Sequence, residues 1–189
     1  MVIGLTGSIA SGKTLTSNYL KSLNYKVIDC DEISHQIILK PNDCYYKLIE
    51  EFGDILDGEE ISRDKLRNIV FNNKELLNKL NSILHPAIYQ EVKKQITNEL
   101  VFIDCPLLFE TNFKELCDQT LVISTKENIQ IDRLIKRNNI TKEEAKKRIQ
   151  LQMSLKDKEK QATYIINNIN DEQHLYKQID DLLIKLKEN

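Results

Sequence analysis

Tryptophan is absent from this chain, and only three prolines and five glycines occur among its 189 residues. So little proline and glycine excludes collagen-like and linker-rich architectures, and no internal repeat or low-complexity tract is present. Long apolar runs are also missing. Stretches such as Leu100–Ile103 and Leu107–Phe109 fall far short of the roughly 20 residues needed to cross a bilayer, so no membrane is expected as a partner. An excess of one charge is lacking too: 27 Lys plus Arg against 29 Asp plus Glu leave a net charge of -2. That balance supplies no field for a nucleic-acid backbone, and no nucleic acid is expected. The four cysteines, Cys30, Cys44, Cys105 and Cys117, are spaced too widely for a zinc knuckle or a CxxC pair, and a reducing compartment keeps them as thiols. Met1, Val2 and Ile3 run straight into Gly4 without a basic stretch or a cleavage site, which predicts no export signal and a cytoplasmic protein.

What is present is the composition of a soluble globular domain, 41% hydrophobic and 30% charged, long enough for one real core. Val2–Thr6 reads as a buried strand cut short by Gly7, and Leu15, Tyr19, Leu20 and Leu23 follow at helical spacing. Further strands are predicted at Tyr25–Ile28, Leu100–Ile103, Thr120–Ile123 and Tyr164–Ile166. Between them lie helical patterns. Leu76, Leu77, Leu80, Ile83 and Leu84 trace one stripe that stops at His85-Pro86, where proline suits the first turn of a new helix bearing Ile88, Val92 and Ile96. Thr141 and Glu144 form a capping box, and Leu175, Ile179, Leu182 and Leu186 mark the last helix. Strands alternating with helices predict an α/β fold, a five-stranded parallel sheet with helices on both faces. Residues 41–98 interrupt the alternation with helices only, as an inserted helical lobe.

Gly7-Ser8-Ile9-Ala10-Ser11-Gly12-Lys13-Thr14 matches G-x-x-x-x-G-K-[ST] between a predicted strand and a predicted helix, the setting that gives this motif its meaning. Loop amides form a nest for phosphate oxygens, backed by the positive end of the next helix. Residues 7–15, ending with Leu15, are therefore the expected ATP-binding segment, with Lys13 on the β- and γ-phosphates and the Thr14 hydroxyl on Mg²⁺. Asp104 closes the strand Leu100–Ile103 and is a second candidate for the metal. No N-K-x-D sequence marks a guanine site, so a small phosphotransferase is favoured.

Asp29-Cys30-Asp31 follows the second strand, with His35 one helical turn beyond Asp31. At the carboxyl end of a parallel sheet a carboxylate can orient an alcohol and accept its proton. The plainer alternative is that Asp31 caps a helix.

The opening IGLTGSIASGKT, the segment DCDEISH, the stretch Gly58 to Arg63 before Leu66, Val70-Phe71, the triplet Leu84-His85-Pro86, PLLFE at 106–110 and the Gln150/Gln152 region together resemble the dephospho-CoA kinase family. The resemblance runs colinearly over roughly residues 2–170. It implies transfer of the γ-phosphate of ATP to the ribose 3′-hydroxyl of dephospho-CoA, the last step of coenzyme A synthesis. It also implies a P-loop kinase core at about 1–40, 99–131 and 161–189, a substrate lobe at about 41–98 and a lid at about 132–160. By position, Asp31 is the general base, and Lys13 and Arg137 are its catalytic companions on phosphate. His35, Arg63, His85, Pro106, Leu107 and Leu108 fall on the substrate side, and Glu110 completes the signature. Partners are then ATP, Mg²⁺ and dephospho-CoA, with the chain a monomer or weak homo-oligomer. The lid stretch is highly charged, with Leu151, Met153 and Leu155 its main late apolar anchors.

The family usually has glycine at the positions of Ser8 and Ala10, and aspartate where Thr163 stands, while Asn168 fits its late asparagine. Ser8 and Ala10 occupy the permissive x positions of the motif. Two other readings compete: another small-metabolite or nucleoside monophosphate kinase, which should lack DCDEISH and PLLFE, and a non-catalytic nucleotide-binding module, which should lack one of Lys13, Thr14 and Asp31.

Overall fold

Six consecutive buried residues, Val2–Gly7, form β1, as an apolar run without alternation requires of a strand covered on both faces. It is followed in chain order by α1 (Lys13–Ser22), β2 (Lys26–Asp29), α2 (Cys30–Ile37), α3 (Asp43–Phe52), β3 (Leu56–Asp57), β4 (Glu60–Ile61), α4 (Arg63–Val70), α5 (Lys74–Gln95) and β5 (Val101–Asp104). A short 3-10 helix, Asn112–Leu116, leads to β6 (Gln119–Ser124), α6 (Glu127–Asn138), α7 (Lys142–Gln150), α8 (Leu155–Glu159), β7 (Tyr164–Asn167) and α9 (Glu172–Glu188). This computed structural model describes residues 1–71 and 73–188.

Five strands make one sheet in the order β2-β5-β1-β6-β7. β1 pairs parallel with β5 and with β6, and β6 with β7, Gly4 standing opposite Ile103 and Thr120. β1 is thus central, and the loop after it opens at the carboxyl ends of the strands, where open α/β sheets hold their ligands. Ile3 and Leu5 point to one face, packed with Leu20 of α1 and Leu175, Ile179, Leu182, Leu183 and Leu186 of α9. Each such buried side chain contributes about 1.5–3 kcal/mol. Gly4 points to the other face, where a Cβ would meet Leu108 and Cys117 at 2.7 and 2.8 Å. All four cysteines are unbridged, and burial pushes the Cys117 thiol up to about 12. None of the described helices is long and apolar enough to cross a membrane.

The chain divides into two compact units, Met1–Ile28 with Thr97–Asn189, and Asp29–Ile96. In the second unit α2, α3 and α4 all pack on α5. Two expectations change here. The region is not helical throughout, because β3 and β4 form a small antiparallel hairpin turned at Gly58, whose φ of 63° suits glycine. And α5 runs unbroken from Lys74 to Gln95 with Pro86 inside it. Burial of Ile88 and Val92 on the same stripe outweighs the roughly 3 kcal/mol that an interior proline costs.

In the first unit, α6 and α7 carry a core of their own. Ile131, Leu134 and Ala145 are buried, with Ile135, Ile140 and Ile149 and with Ile9 and Ala10 of the loop after β1 packed on them. The capping box of Thr141 and Glu144 is formed, and its hydrogen bonds hold the Glu144 carboxyl below its ordinary value. Leu151 is not an anchor: it is 82% exposed. The apolar anchors are the isoleucines of α6 and α7, whose spacing was masked by the many charges between them.

Candidate active site

The loop between β1 and α1 is shaped by two left-handed residues, Gly12 at φ 107° and Ala10 at φ 61°. Gly12 is required twice over, since a Cβ there would also collide with the side-chain amide of Asn168. Ala10 sits where an L-residue is strained, so the x position it fills is more demanding than the motif suggests. Helix α1 begins at once, with Thr16 N–H donating to Gly12 O at 3.1 Å. Its amino end therefore faces the loop, as an anion site needs.

The Lys13 ammonium pairs with Asp104 Oδ1 at the end of β5, and the Ser17 hydroxyl donates to Asp104 Oδ2. Sequence reasoning did not select Ser17. It stands one turn beyond Lys13 on α1, and only the geometry of the sheet end reveals its partner. Thr14 is exposed on the first turn of α1, and Leu15 packs partly into the main core. The hydroxyls of Ser8 and Ser11 are buried and have no hydrogen-bond partner among the described residues. Two orphaned donors in the loop itself are what a phosphate-binding cradle would leave for its ligand.

The outer side of the loop is held by side chains the motif does not include. Ile9 N–H donates to Gln152 Oε1 at 3.0 Å, and Ile9 O accepts from Gln130 Nε2 at 2.7 Å. Arg133 Nη1 donates to Ala10 O at 3.2 Å and Ser11 O at 3.4 Å, and Asn168 Nδ2 donates to Ser11 O at 2.8 Å. These four residues lie more than 110 positions from the loop, so no local spacing could announce them. Thr163 serves elsewhere: its hydroxyl accepts from Thr120 N–H at 3.0 Å, near the start of β6.

The signature at 106–110 is tied down by Lys158 of α8. This lysine is 0% exposed, and its ammonium donates to Pro106 O at 2.6 Å and Glu110 Oε2 at 3.1 Å. Glu110 Oε1 also accepts from Met153 N–H at 3.1 Å. Leu107 is exposed, whereas Leu108 is fully buried over Gly4. The Leu108 side chain is a core residue that anchors the loop.

In the second unit, Asp29 rather than Asp31 caps α2, its Oδ1 accepting from Asp31 N–H at 2.9 Å and Glu32 N–H at 3.1 Å. Asp31 and His35 lie on exposed positions of that helix. Arg63 opens α4 behind the Ser62 cap and is exposed, and His85 is half-buried within α5, where burial lowers its pKa. Arg137 is exposed at the end of α6, its Nε donating to Asn138 Oδ1 at 3.0 Å. No cluster of three or more His, Cys, Asp or Glu among the described residues could hold a metal on its own. The Thr14 hydroxyl and the Asp104 carboxylate are hard oxygen donors, and one carboxylate plus substrate phosphates is how Mg²⁺ is usually bound, so they fit an ion that arrives with a nucleotide.

A parallel sheet with a strand-loop-helix phosphate cradle at its carboxyl end, and a lysine and an aspartate meeting beside it, defines a P-loop kinase-like protein. The family model described as dephospho-CoA kinase matches residues 1–174. A dephospho-CoA kinase of Lactobacillus johnsonii is 46% identical over 96% of each chain, and the chain belongs to the dephospho-CoA kinase family. Among solved structures, TT1252 from Thermus thermophilus superposes with a TM-score of 0.84 at 28% identity, covering 98% of this chain and 97% of that one. The dephospho-CoA kinase from Campylobacter jejuni does so at 0.66, also 28% identical, covering 97% and 96%.

Proposed function

We propose that this chain transfers the γ-phosphoryl group of ATP to the ribose 3′-hydroxyl of dephospho-CoA, giving coenzyme A and ADP. Membership of the family carries the choice of substrate. The site adds the means. Loop residues 7–14 bind the β- and γ-phosphates through backbone amides and the Ser8 and Ser11 hydroxyls. Lys13 leaves Asp104 for the phosphates and follows the charge as the P–O bond to ADP breaks. Thr14 and Asp104 would hold Mg²⁺, which would supply further neutralisation of phosphate charge.

Asp31 is assigned the proton of the 3′-hydroxyl as its oxygen attacks phosphorus. With Asp29 acting as the cap, Asp31 is not needed to start α2. His35, Arg63, His85, Pro106, Leu107 and Leu108 are assigned to the acceptor. Residues 132–160 act as a lid in which Arg137 turns from Asn138 to phosphate. The substrates are small molecules, met in the cytoplasm.

The test of the roles is Asp31→Asn, which keeps shape and loses proton-accepting power. Turnover should fall about a hundredfold or more with ATP affinity little changed. Collapse of ATP binding with turnover of bound substrate preserved would make Asp31 a structural residue.

A further inference from the structure

The P-loop of this chain is gripped from behind. Arg133 spans two successive loop carbonyls, Ala10 O and Ser11 O, with Nη1, and with Nη2 it reaches Asn168 O at 3.3 Å and Asn168 Oδ1 at 3.4 Å. Asn168 is 4% exposed and is itself fixed on every side. Its N–H donates to Ser124 O at 2.7 Å, its carbonyl accepts from the Thr125 hydroxyl at 2.8 Å, and its side-chain amide lies on Gly12 while donating to Ser11 O. Two strand ends, β6 and β7, thus reach the loop through one asparagine.

A planar trans peptide points its C=O and the next N–H in opposite directions. Holding Ser11 O against Arg133 and Asn168 therefore turns the Gly12 N–H away from them. Holding Ile9 O against Gln130 turns the Ala10 N–H in the same sense. Loop amides aimed in advance need no reorganisation when an anion arrives, which is where preorganised dipoles gain their effect.

We propose that Arg133 and Asn168 are positioning residues that act through the P-loop: by holding the Ser11 carbonyl outward they aim the Gly12 N–H at the phosphates of ATP, while the Ser11 N–H beside it stays bonded to Ser8 O within the loop. This rests on residues 7–14 being the phosphate cradle. Arg133 works as a planar fork, not as a mobile charge, and a lysine cannot replace it.

The experiment measures binding of inorganic tripolyphosphate by calorimetry to the full chain and to Arg133→Lys, Asn168→Ala and the pair combined, with a thermal melt of each. Arg133→Lys keeps the charge and Asn168→Ala leaves it unchanged, so neither alters simple attraction of the anion. Each should weaken binding about tenfold, the scale of one lost hydrogen bond. The double variant should lose little more than either single one, because the two act as a unit. Folded Arg133→Lys that binds tripolyphosphate like the parent would overturn the proposal, as would full additivity in the pair. Should Asn168→Ala fail to fold, Arg133→Lys alone decides. A parent chain that binds tripolyphosphate but makes no coenzyme A would contradict the proposed substrate and leave the brace standing.

Discussion

The ammonium of Lys13 rests on the carboxylate of Asp104, and that carboxylate is in turn held by the hydroxyl of Ser17. A residue that must follow charge on a transferring phosphoryl group is thereby kept on the end of β5. Asp104 is nearly inaccessible while Lys13 keeps some water. Asp104→Asn should cost about 2–3 kcal/mol, below the usual range for a broken buried pair because Lys13 can still be hydrated. Turnover should fall about a hundredfold. Urea unfolding and steady-state kinetics on one preparation check both numbers, and normal turnover would remove Asp104 from the site.

Ala10 holds a left-handed conformation, φ 61°, that costs an L-residue roughly 1–2 kcal/mol. Ala10→Gly relieves this but loosens the unfolded chain by about 0.4–1 kcal/mol. The variant should therefore be more stable by about 0.5–1 kcal/mol, the difference of those two terms. A lower urea midpoint would show that the Ala10 methyl, packed with Ile131 and Leu134, matters more than its strain.

The pair of Lys158 and Glu110 is unequal, with side chains 0% and 21% exposed. Removing Lys158 leaves a carboxylate that water can reach, whereas neutralising Glu110 leaves a cation that it cannot. Glu110→Gln should accordingly destabilise by about 3–5 kcal/mol, and Lys158→Met by about 2 kcal/mol. The reverse order in denaturant melts would contradict this reading.

Burial lowers the pKa of His85 from its ordinary 6.5. The unfolded chain then binds a proton more readily than the folded one below about pH 6.5, so stability is full above that value and falls as pH drops toward the lower folded pKa. His85→Gln should flatten the fall in urea midpoint between about pH 7 and pH 5. Parallel curves for parent and variant would mean that His85 titrates alike in both states.

Much of the scaffold could be read from residue patterns. Apolar runs ending in glycine or aspartate gave β1 and β5 within a residue, and the capping box gave the start of α7, because these signals are local. The continuity of α5 was hidden because Pro86 is a strong local stop that only the burial of Ile88 and Val92 beyond it overrides. The chemical core of the loop, Lys13 and Thr14, was explicit in the motif. Its supports were not. Ser17, Gln130, Arg133 and Lys158 are ordinary helix residues until the sheet brings distant segments together, and the strain at Ala10 is invisible until φ is known. The signature at 106–110 does not by itself separate a buried anchor such as Leu108 from an exposed residue such as Leu107.

Phosphorylation of dephospho-CoA is read by incubating the purified chain with ATP, Mg²⁺ and an equimolar panel of dephospho-CoA, AMP, CMP and shikimate, then separating the products by mass. One phosphorylated species is expected, coenzyme A carrying its new phosphate on the ribose 3′-oxygen, formed with one ADP per product and lost in Lys13→Ala. Phosphorylation of another member of the panel while dephospho-CoA stays unchanged would contradict it.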